Sequence, residues 1–229
     1  MRIKAETAEC RSFRIVHSYD EMMKANADGK IYIFIGIEGM AAMGKDLTWI
    51  DRYYEFGCRH GILTWNEAND LGAGALSGKD YGLTDLGRET VRRMQEKGML
   101  LDVSHLNDAG FWDVVKITKK PFIASHSNSR AMCGVLRNLT DDQLRAIRDI
   151  NGVVGLNAFN ILYGSHDLLG TLYIVHVIRR VYPNNKNTSF NAALAETLQM
   201  AAIKYVRLAI ETASSHITPD IRVCIKIHS

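Results

Sequence analysis

Between residues 30 and 160, short apolar runs alternate with segments of helical periodicity, and this alternation limits the fold more than any other feature. The apolar runs predict buried strands at residues 31–37, 59–65, 99–103, 121–124 and 153–156. Because these runs lack polar alternation and helices separate them, they favour a parallel sheet covered by helices. We therefore expect an α/β fold of the (β/α)8 TIM-barrel type, with a doubly wound open sheet as the alternative.

The segments between the strands carry signals for the starts and ends of helices. Helix starts are predicted at Asp46, Thr84, Asn107 and Thr140, whose side chains can accept hydrogen bonds from free backbone N–H groups. Thr140 also forms a capping-box pattern with a glutamine three residues later. The glycine-rich segment at 71–78 lacks a phosphate-binding motif, so we predict a surface loop there.

The chain changes character after residue 160. Residues 161–229 hold seven basic and four acidic residues, whereas residues 1–160 hold 21 of each, and only two of the 18 glycines lie in this tail. Helical periodicity at 167–180 and 190–212 predicts a divergent, mostly helical tail. We therefore predict two regions, the central part of a barrel at 1–160 and a tail at 161–229. The tail has no basic run, so no nucleic-acid partner is expected.

Membrane and secretion signals are missing from this sequence. The longest apolar run, residues 31–37, is far shorter than the roughly 18 residues of a membrane span, and the N-terminus is polar. The four cysteines have no paired spacing, which indicates reduced thiols. We expect a cytoplasmic protein without a membrane partner.

Three polar side chains follow three different predicted strands. Glu38 comes after the strand at 31–37, His105 after 99–103 and His126 after 121–124. The carboxyl ends of parallel barrel strands meet at one face, where barrel enzymes place their chemistry. Carboxylate and imidazole groups are the ligands of hydrolytic zinc sites, where the metal activates a water. The pattern predicts a metal site, although a histidine at a strand end can also be a purely structural, hydrogen-bonded residue.

Several short motifs in register carry a family resemblance. They are Ile-Glu-Gly at 37–39, Tyr-Gly-Leu-Thr-Asp-Leu-Gly at 81–87, Leu-Asp-Val-Ser-His at 101–105, Pro-Phe-Ile-Ala-Ser-His-Ser-Asn-Ser at 121–129 and Arg-Asn-Leu-Thr-Asp at 137–141. Over residues 30–160 the chain resembles the membrane (renal) dipeptidase family of zinc peptidases. The resemblance implies a (β/α)8 barrel that holds two zinc ions and hydrolyses dipeptides with a metal-activated water.

The resemblance also implies roles for five residues. Glu38 matches the glutamate that bridges the two zinc ions, and it counts as catalytic for that reason. His105 and His126 match the two histidines of the second zinc. Arg137 matches the arginine that binds the substrate carboxylate. Trp65 replaces the histidine of the family's Leu-Thr-His contact, and it can only line the substrate pocket.

Two motifs of the family are absent from the sequence. It contains no His-x-Asp pair; His17 and Asp20 are three positions apart rather than two. It also contains no Gly-Ser-Asp-Phe-Asp-Gly strand in its later part. The ligands present therefore support at most one zinc ion. We hypothesise a truncated or frameshifted, weakly active dipeptidase. The alternative is a catalytically inactive remnant that binds zinc or a partner chain. The sequence leaves open the preferred dipeptide and whether the chain forms a homo-oligomer.

Overall fold

The computed structural model describes residues 10, 12–131, 133–155 and 157. The chain divides into two compact units between Lys120 and Pro121. The predicted tail at 161–229, and the predicted boundary at residue 160, lie outside the described residues and stay predictions. None of the described helices is both long and apolar enough to cross a membrane.

The first unit contains two sets of parallel strands. Strand β1 (Phe13–Val16) leads into helix α1 (Tyr19–Ala27) and pairs with β2 (Ile31–Phe34). Strand β3 (Gly36–Glu38) pairs with β4 (His60–Ile62), which pairs in turn with β5 (Leu100–Asp102). Helix α2 (Thr48–Glu55) connects β3 to β4, helix α3 (Asp85–Lys97) connects β4 to β5, and helix α4 (Asp108–Ile117) follows β5.

The second unit repeats the strand–helix–strand order on a smaller scale. Strand β6 (Ile123–Ala124) pairs in parallel with β7 (Val153–Val154), and helix α5 (Asp141–Asp149) lies between them in sequence. All strand pairs within the described part of each unit are parallel, and a helix follows each of β1, β3, β4, β5 and β6. The predicted α/β class with parallel strands is thus confirmed.

The single buried strand predicted at 31–37 is wrong. The segment forms two strands, β2 and β3, which pair with different partners and are separated at Ile35. Ile31 and Phe34 are exposed rather than buried. Gly36 begins β3, and a Cβ there would lie 2.2 Å from Nδ1 of the His60 ring, so a larger residue would require this ring to move. This neighbour is set by tertiary structure, which hydrophobic periodicity does not report.

The predicted helix starts agree well with the structure. Thr84, Asn107 and Thr140 are the N-cap residues of α3, α4 and α5, and each side chain accepts a backbone N–H bond three residues on. Asp46 accepts bonds from the N–H and hydroxyl of Thr48, but it lies one residue before the N-cap position. Local hydrogen bonding therefore sets the helix starts in both units.

Part of the glycine-rich segment differs from the surface loop that was predicted. Residues 71–75 are buried, and only residues 76–78 reach the surface. Gly74 forms a bridge with Leu106 and lies against the main chain that follows β4, where a Cβ would be 2.2 Å from the Trp65 carbonyl oxygen. The small residues of this segment let two stretches of main chain lie close together, which explains why they occur where the segment is buried.

Thr140→Ala is expected to lower the free energy of unfolding by about 1 kcal/mol, measured by urea denaturation of the full chain. The Thr140 hydroxyl accepts from the Gln143 N–H at 3.2 Å, and the Gln143 side chain accepts from the Thr140 N–H at 2.8 Å. Alanine removes one of these two bonds. Thr140→Ser keeps the hydroxyl and serves as the control; an equal loss in both variants would contradict the capping explanation.

Candidate metal centre

A carboxylate and an imidazole meet at the carboxyl ends of strands in the first unit. Glu38 is the last residue of β3, and His105 lies three residues after β5. The Glu38 Oε1 atom is 3.0 Å from His105 Nε2, and both side chains are largely buried. The structure therefore brings these two predicted site residues together.

The backbone at His105 is held in an unusual conformation. Its φ angle is +72°, in the left-handed region that side chains other than glycine rarely adopt. Asp102 stabilises the preceding turn, because its Oδ1 accepts a hydrogen bond of 2.8 Å from the Ser104 N–H. The other oxygen of this buried carboxylate lies 2.7 Å from His60 Nε2. A backbone strained at a single residue and fixed by its surroundings is typical of functional sites.

Asn66 is a second partner of His105 that the sequence reasoning missed. Its Oδ1 atom lies 2.9 Å from His105 Nδ1. Asn66 and Glu38 thus contact the two different nitrogens of the imidazole ring. A signal was available, since Asn66 directly follows the strand predicted at 59–65 and therefore occupies the same kind of position as the other candidates.

Trp65 lies beside the same imidazole. Its ring centroid is 5.9 Å from that of His105, with 31° between the ring planes, and half of the residue is exposed. The indole has one N–H donor and no group that titrates near neutral pH. The role of Trp65 in lining a substrate pocket stays a prediction.

The second unit holds the other two predicted site residues. His126 lies two residues after β6, and its Nδ1 is 2.7 Å from the Ser125 hydroxyl. The Arg137 Nη2 atom donates to the His126 carbonyl oxygen at 3.3 Å, and both residues are buried. The structure thus places the arginine next to the histidine within this unit.

The spacing of His17 and Asp20 in the sequence is explained by the local structure around the start of α1. His17 follows β1 directly, and its Nδ1 lies 3.1 Å from Glu21 Oε2 in the first turn of α1. Asp20 lies in the same turn. These residues belong to a helix start, so the pattern does not supply the missing His-x-Asp pair.

The donor set of the first unit suits a metal ion. Carboxylate oxygen and imidazole nitrogen each bind zinc at about 2.0–2.2 Å, so two ligands of one ion can be at most about 4.4 Å apart. The separation of 3.0 Å between Glu38 Oε1 and His105 Nε2 lies within this limit. The Asn66 bond to the other imidazole nitrogen is the arrangement found behind metal-binding histidines.

The chain is similar to several known proteins. It is 37% identical over 154 residues to a protein encoded in the 3′ region of PQQ-III of Acinetobacter calcoaceticus. This match covers 64% of this chain and 49% of that protein. It is 34% identical over 136 residues to a dipeptidase of Schizosaccharomyces pombe. This second match covers 58% of this chain and 33% of that protein. The chain therefore spans about half, or less, of the length of these relatives.

A solved structure and a family model extend these matches. A metallo peptidase from Rhodobacter sphaeroides, crystallised with a phosphinate mimic of the dipeptide L-Ala-D-Ala, is 27% identical and has a TM-score of 0.75. The match covers 93% of this chain and 67% of that one, and it confirms the predicted fold class, a partial (β/α)8 barrel. The model of the membrane dipeptidases, peptidase family M19, matches residues 1–214. With nearly the whole sequence matched, this chain belongs to the membrane dipeptidase family of hydrolases.

Proposed function

We propose that this chain binds zinc through Glu38, His105 and His126 and hydrolyses dipeptides with a metal-activated water. The observation that carries the proposal is the 3.0 Å approach of Glu38 Oε1 to His105 Nε2 at the carboxyl ends of β3 and β5. His126 is proposed as the third ligand because it follows β6 as His105 follows β5. Membership of a dipeptidase family supports the same reaction.

The chemistry of the three side chains favours zinc at this site. Imidazole nitrogen and carboxylate oxygen suit zinc, whereas magnesium and calcium prefer all-oxygen sites. Three protein ligands would leave one position for water, as in catalytic zinc sites. When bound, zinc lowers the pKa of that water and so supplies hydroxide near neutral pH.

Arg137 and Trp65 are proposed to bind the substrate. A guanidinium group can grip a carboxylate with two parallel hydrogen bonds, and the C-terminus of a dipeptide is such a carboxylate. Arg137 is buried beside His126, where desolvation strengthens an ion pair. The exposed indole of Trp65 next to His105 would form an apolar wall for a substrate side chain.

The proposal is tested on the purified full chain by metal analysis and by hydrolysis of L-Ala-D-Ala and L-Ala-L-Ala. We expect one zinc ion per chain and release of free alanine. A chelator should stop this release, and added zinc should restore it. A chain that binds no zinc would overturn the proposal, and two zinc ions per chain would replace the one-ion site with a two-ion site.

A zinc-binding protein without peptidase activity is the second candidate. The observation that favours it is the absence of a His-x-Asp pair from the sequence, which leaves the chain without the other zinc ligands implied by the resemblance. The same two measurements separate the candidates, because stoichiometric zinc without alanine release supports this one alone.

A further inference from the structure

We propose that Arg130 is a positioning residue that holds Arg137 in place by bonding to the main chain on either side of it. The inference rests on the proposed function, in which Arg137 binds the substrate carboxylate, and adds a residue that acts through Arg137. Three observations within the second unit carry it: the two bonds of the Arg130 guanidinium, the burial of Arg137, and the separate bonds that anchor the surrounding loop.

The guanidinium of Arg130 bridges the two residues that flank Arg137. Its Nε donates to the Asn138 carbonyl oxygen at 2.9 Å, and its Nη2 donates to the Leu136 carbonyl oxygen at 3.2 Å. The donors of a planar guanidinium have fixed relative positions, so the two carbonyl groups are held at a fixed separation. The charge of the donor strengthens both bonds. The main chain of Arg137 thus lies between two points that one side chain fixes.

The Arg137 side chain depends on this main chain for its position. The residue is buried, and its Nη2 donates to the His126 carbonyl oxygen at 3.3 Å. The guanidinium lies at the end of a long side chain, so a small rotation of the main chain moves it by a larger distance. Misplacement of a substrate-binding group by about 1 Å can cost about 100-fold in rate. A residue that fixes the main chain here therefore affects substrate binding.

The loop has anchors that do not need the Arg130 side chain. Asn138 is buried, and its Oδ1 accepts from the Asn128 N–H at 3.2 Å. The Leu139 N–H donates to the Asn128 carbonyl oxygen at 2.8 Å, and the Leu139 carbonyl oxygen accepts from the main-chain N–H of Arg130 at 2.7 Å. Replacement of Arg130 should thus keep this part of the loop in place and loosen residues 136–137.

The test compares Arg130→Met, Arg130→Lys, Arg137→Met and the double variant Arg130→Met/Arg137→Met in the full chain. Methionine has similar length without donors, and lysine keeps the charge without the planar donor group. Arg145→Met is the matched control, because Arg145 is exposed on α5 and bonds to Asp142.

Two measurements are made on the variants. Nitrogen-15 NMR relaxation of the main-chain and Nε N–H groups of Arg137, in zinc-free protein, reports how firmly this residue is held. Kinetics with L-Ala-D-Ala, in the presence of zinc, give kcat and KM separately. The NMR measurement needs neither metal nor activity, so it separates this inference from the proposed function.

In the wild type we expect order parameters of about 0.85 for these groups of Arg137, and values below about 0.6 in Arg130→Met and Arg130→Lys. Both variants should raise KM, by up to about 100-fold, with little change in kcat. A general loss of folded protein would instead lower the apparent kcat and leave KM unchanged. Because Arg130 acts through Arg137, the double variant should have the same KM as Arg137→Met. Arg145→Met should match the wild type.

Three results would each overturn the inference. They are unchanged order parameters in Arg130→Met, wild-type behaviour of Arg130→Lys, and a double variant whose KM clearly exceeds that of Arg137→Met. A wild type without hydrolysis, or an Arg137→Met variant with unchanged KM, would instead overturn the proposed role of Arg137. The NMR result would then decide alone whether Arg130 holds Arg137 in place.

Discussion

Glu38→Gln is expected to abolish stoichiometric zinc binding. It should also lower kcat/KM for dipeptides by more than about 100-fold, which is the largest loss typical of replacing a residue that only contacts a metal ligand. Glutamine has nearly the same shape, so it fills the space at the end of β3, but its neutral amide is a poor metal ligand. The substitution removes the negative charge that faces His105 Nε2 at 3.0 Å. Metal analysis and alanine release measure the two effects.

Glu55→Gln is the matched control for this substitution. Glu55 is an exposed residue at the end of α2, and its replacement should change neither zinc content nor hydrolysis. His126→Ala should reproduce the loss of zinc if the second histidine is a ligand. Full zinc binding by Glu38→Gln would refute the ligand assignment of Glu38, and full zinc binding by His126→Ala would refute that of the histidine.

Gly74→Ala is expected to lower the free energy of unfolding by about 3 kcal/mol. A Cβ at this position would lie 2.2 Å from the carbonyl oxygen of Trp65 and 2.5 Å from that of Asn66. Both neighbours are main-chain atoms, which cannot move aside as the end of a flexible side chain can. Either the loop that carries Asn66 or the glycine segment must shift. Urea denaturation of the full chain measures the change.

Gly134→Ala provides the comparison for Gly74→Ala. A Cβ at Gly134 meets no atom within 4 Å, and its φ angle is not in the left-handed region. This variant should differ from the wild type by no more than about 0.5 kcal/mol, as is usual for surface substitutions. If Gly74→Ala were equally harmless, the close packing of the two loop segments would not contribute to stability.

Local chemistry explains which parts of the fold could be predicted from the sequence. The N-caps at Thr84, Asn107 and Thr140 depend on hydrogen bonds between residues three apart, so the sequence contains all the information they need. The strand predicted at 31–37 failed because its break depends on β1 and β4, which are distant in sequence. The burial of residues 71–75 also depends on contacts between segments that are distant in sequence. Glycine and alanine do not reveal such contacts, because they are common both in exposed loops and in closely packed segments.

The candidate site shows a similar division. Glu38, His105 and His126 were predicted as ligands because each follows an apolar run, and barrel enzymes place their chemistry at the carboxyl ends of the strands. Asn66 was missed because asparagine after a strand is ordinary turn chemistry. The pairing of His60 with Asp102 was invisible because it needs the register of β4 against β5. Candidate ligands can thus be predicted from sequence more readily than the side chains that tertiary structure brings against them.

The left-handed backbone at His105 changes how a mutational scan of this position should be interpreted. Every replacement there must adopt the same conformation, which costs most side chains about 1–2 kcal/mol and costs asparagine less. Because histidine already bears this cost, alanine reports mainly the loss of the imidazole. Glycine lacks the imidazole as well but relieves the backbone strain, so the difference between the glycine and alanine variants measures the backbone contribution. A saturation library should accordingly show strong depletion of valine, isoleucine and threonine at position 105, even under a selection that asks only for folded protein.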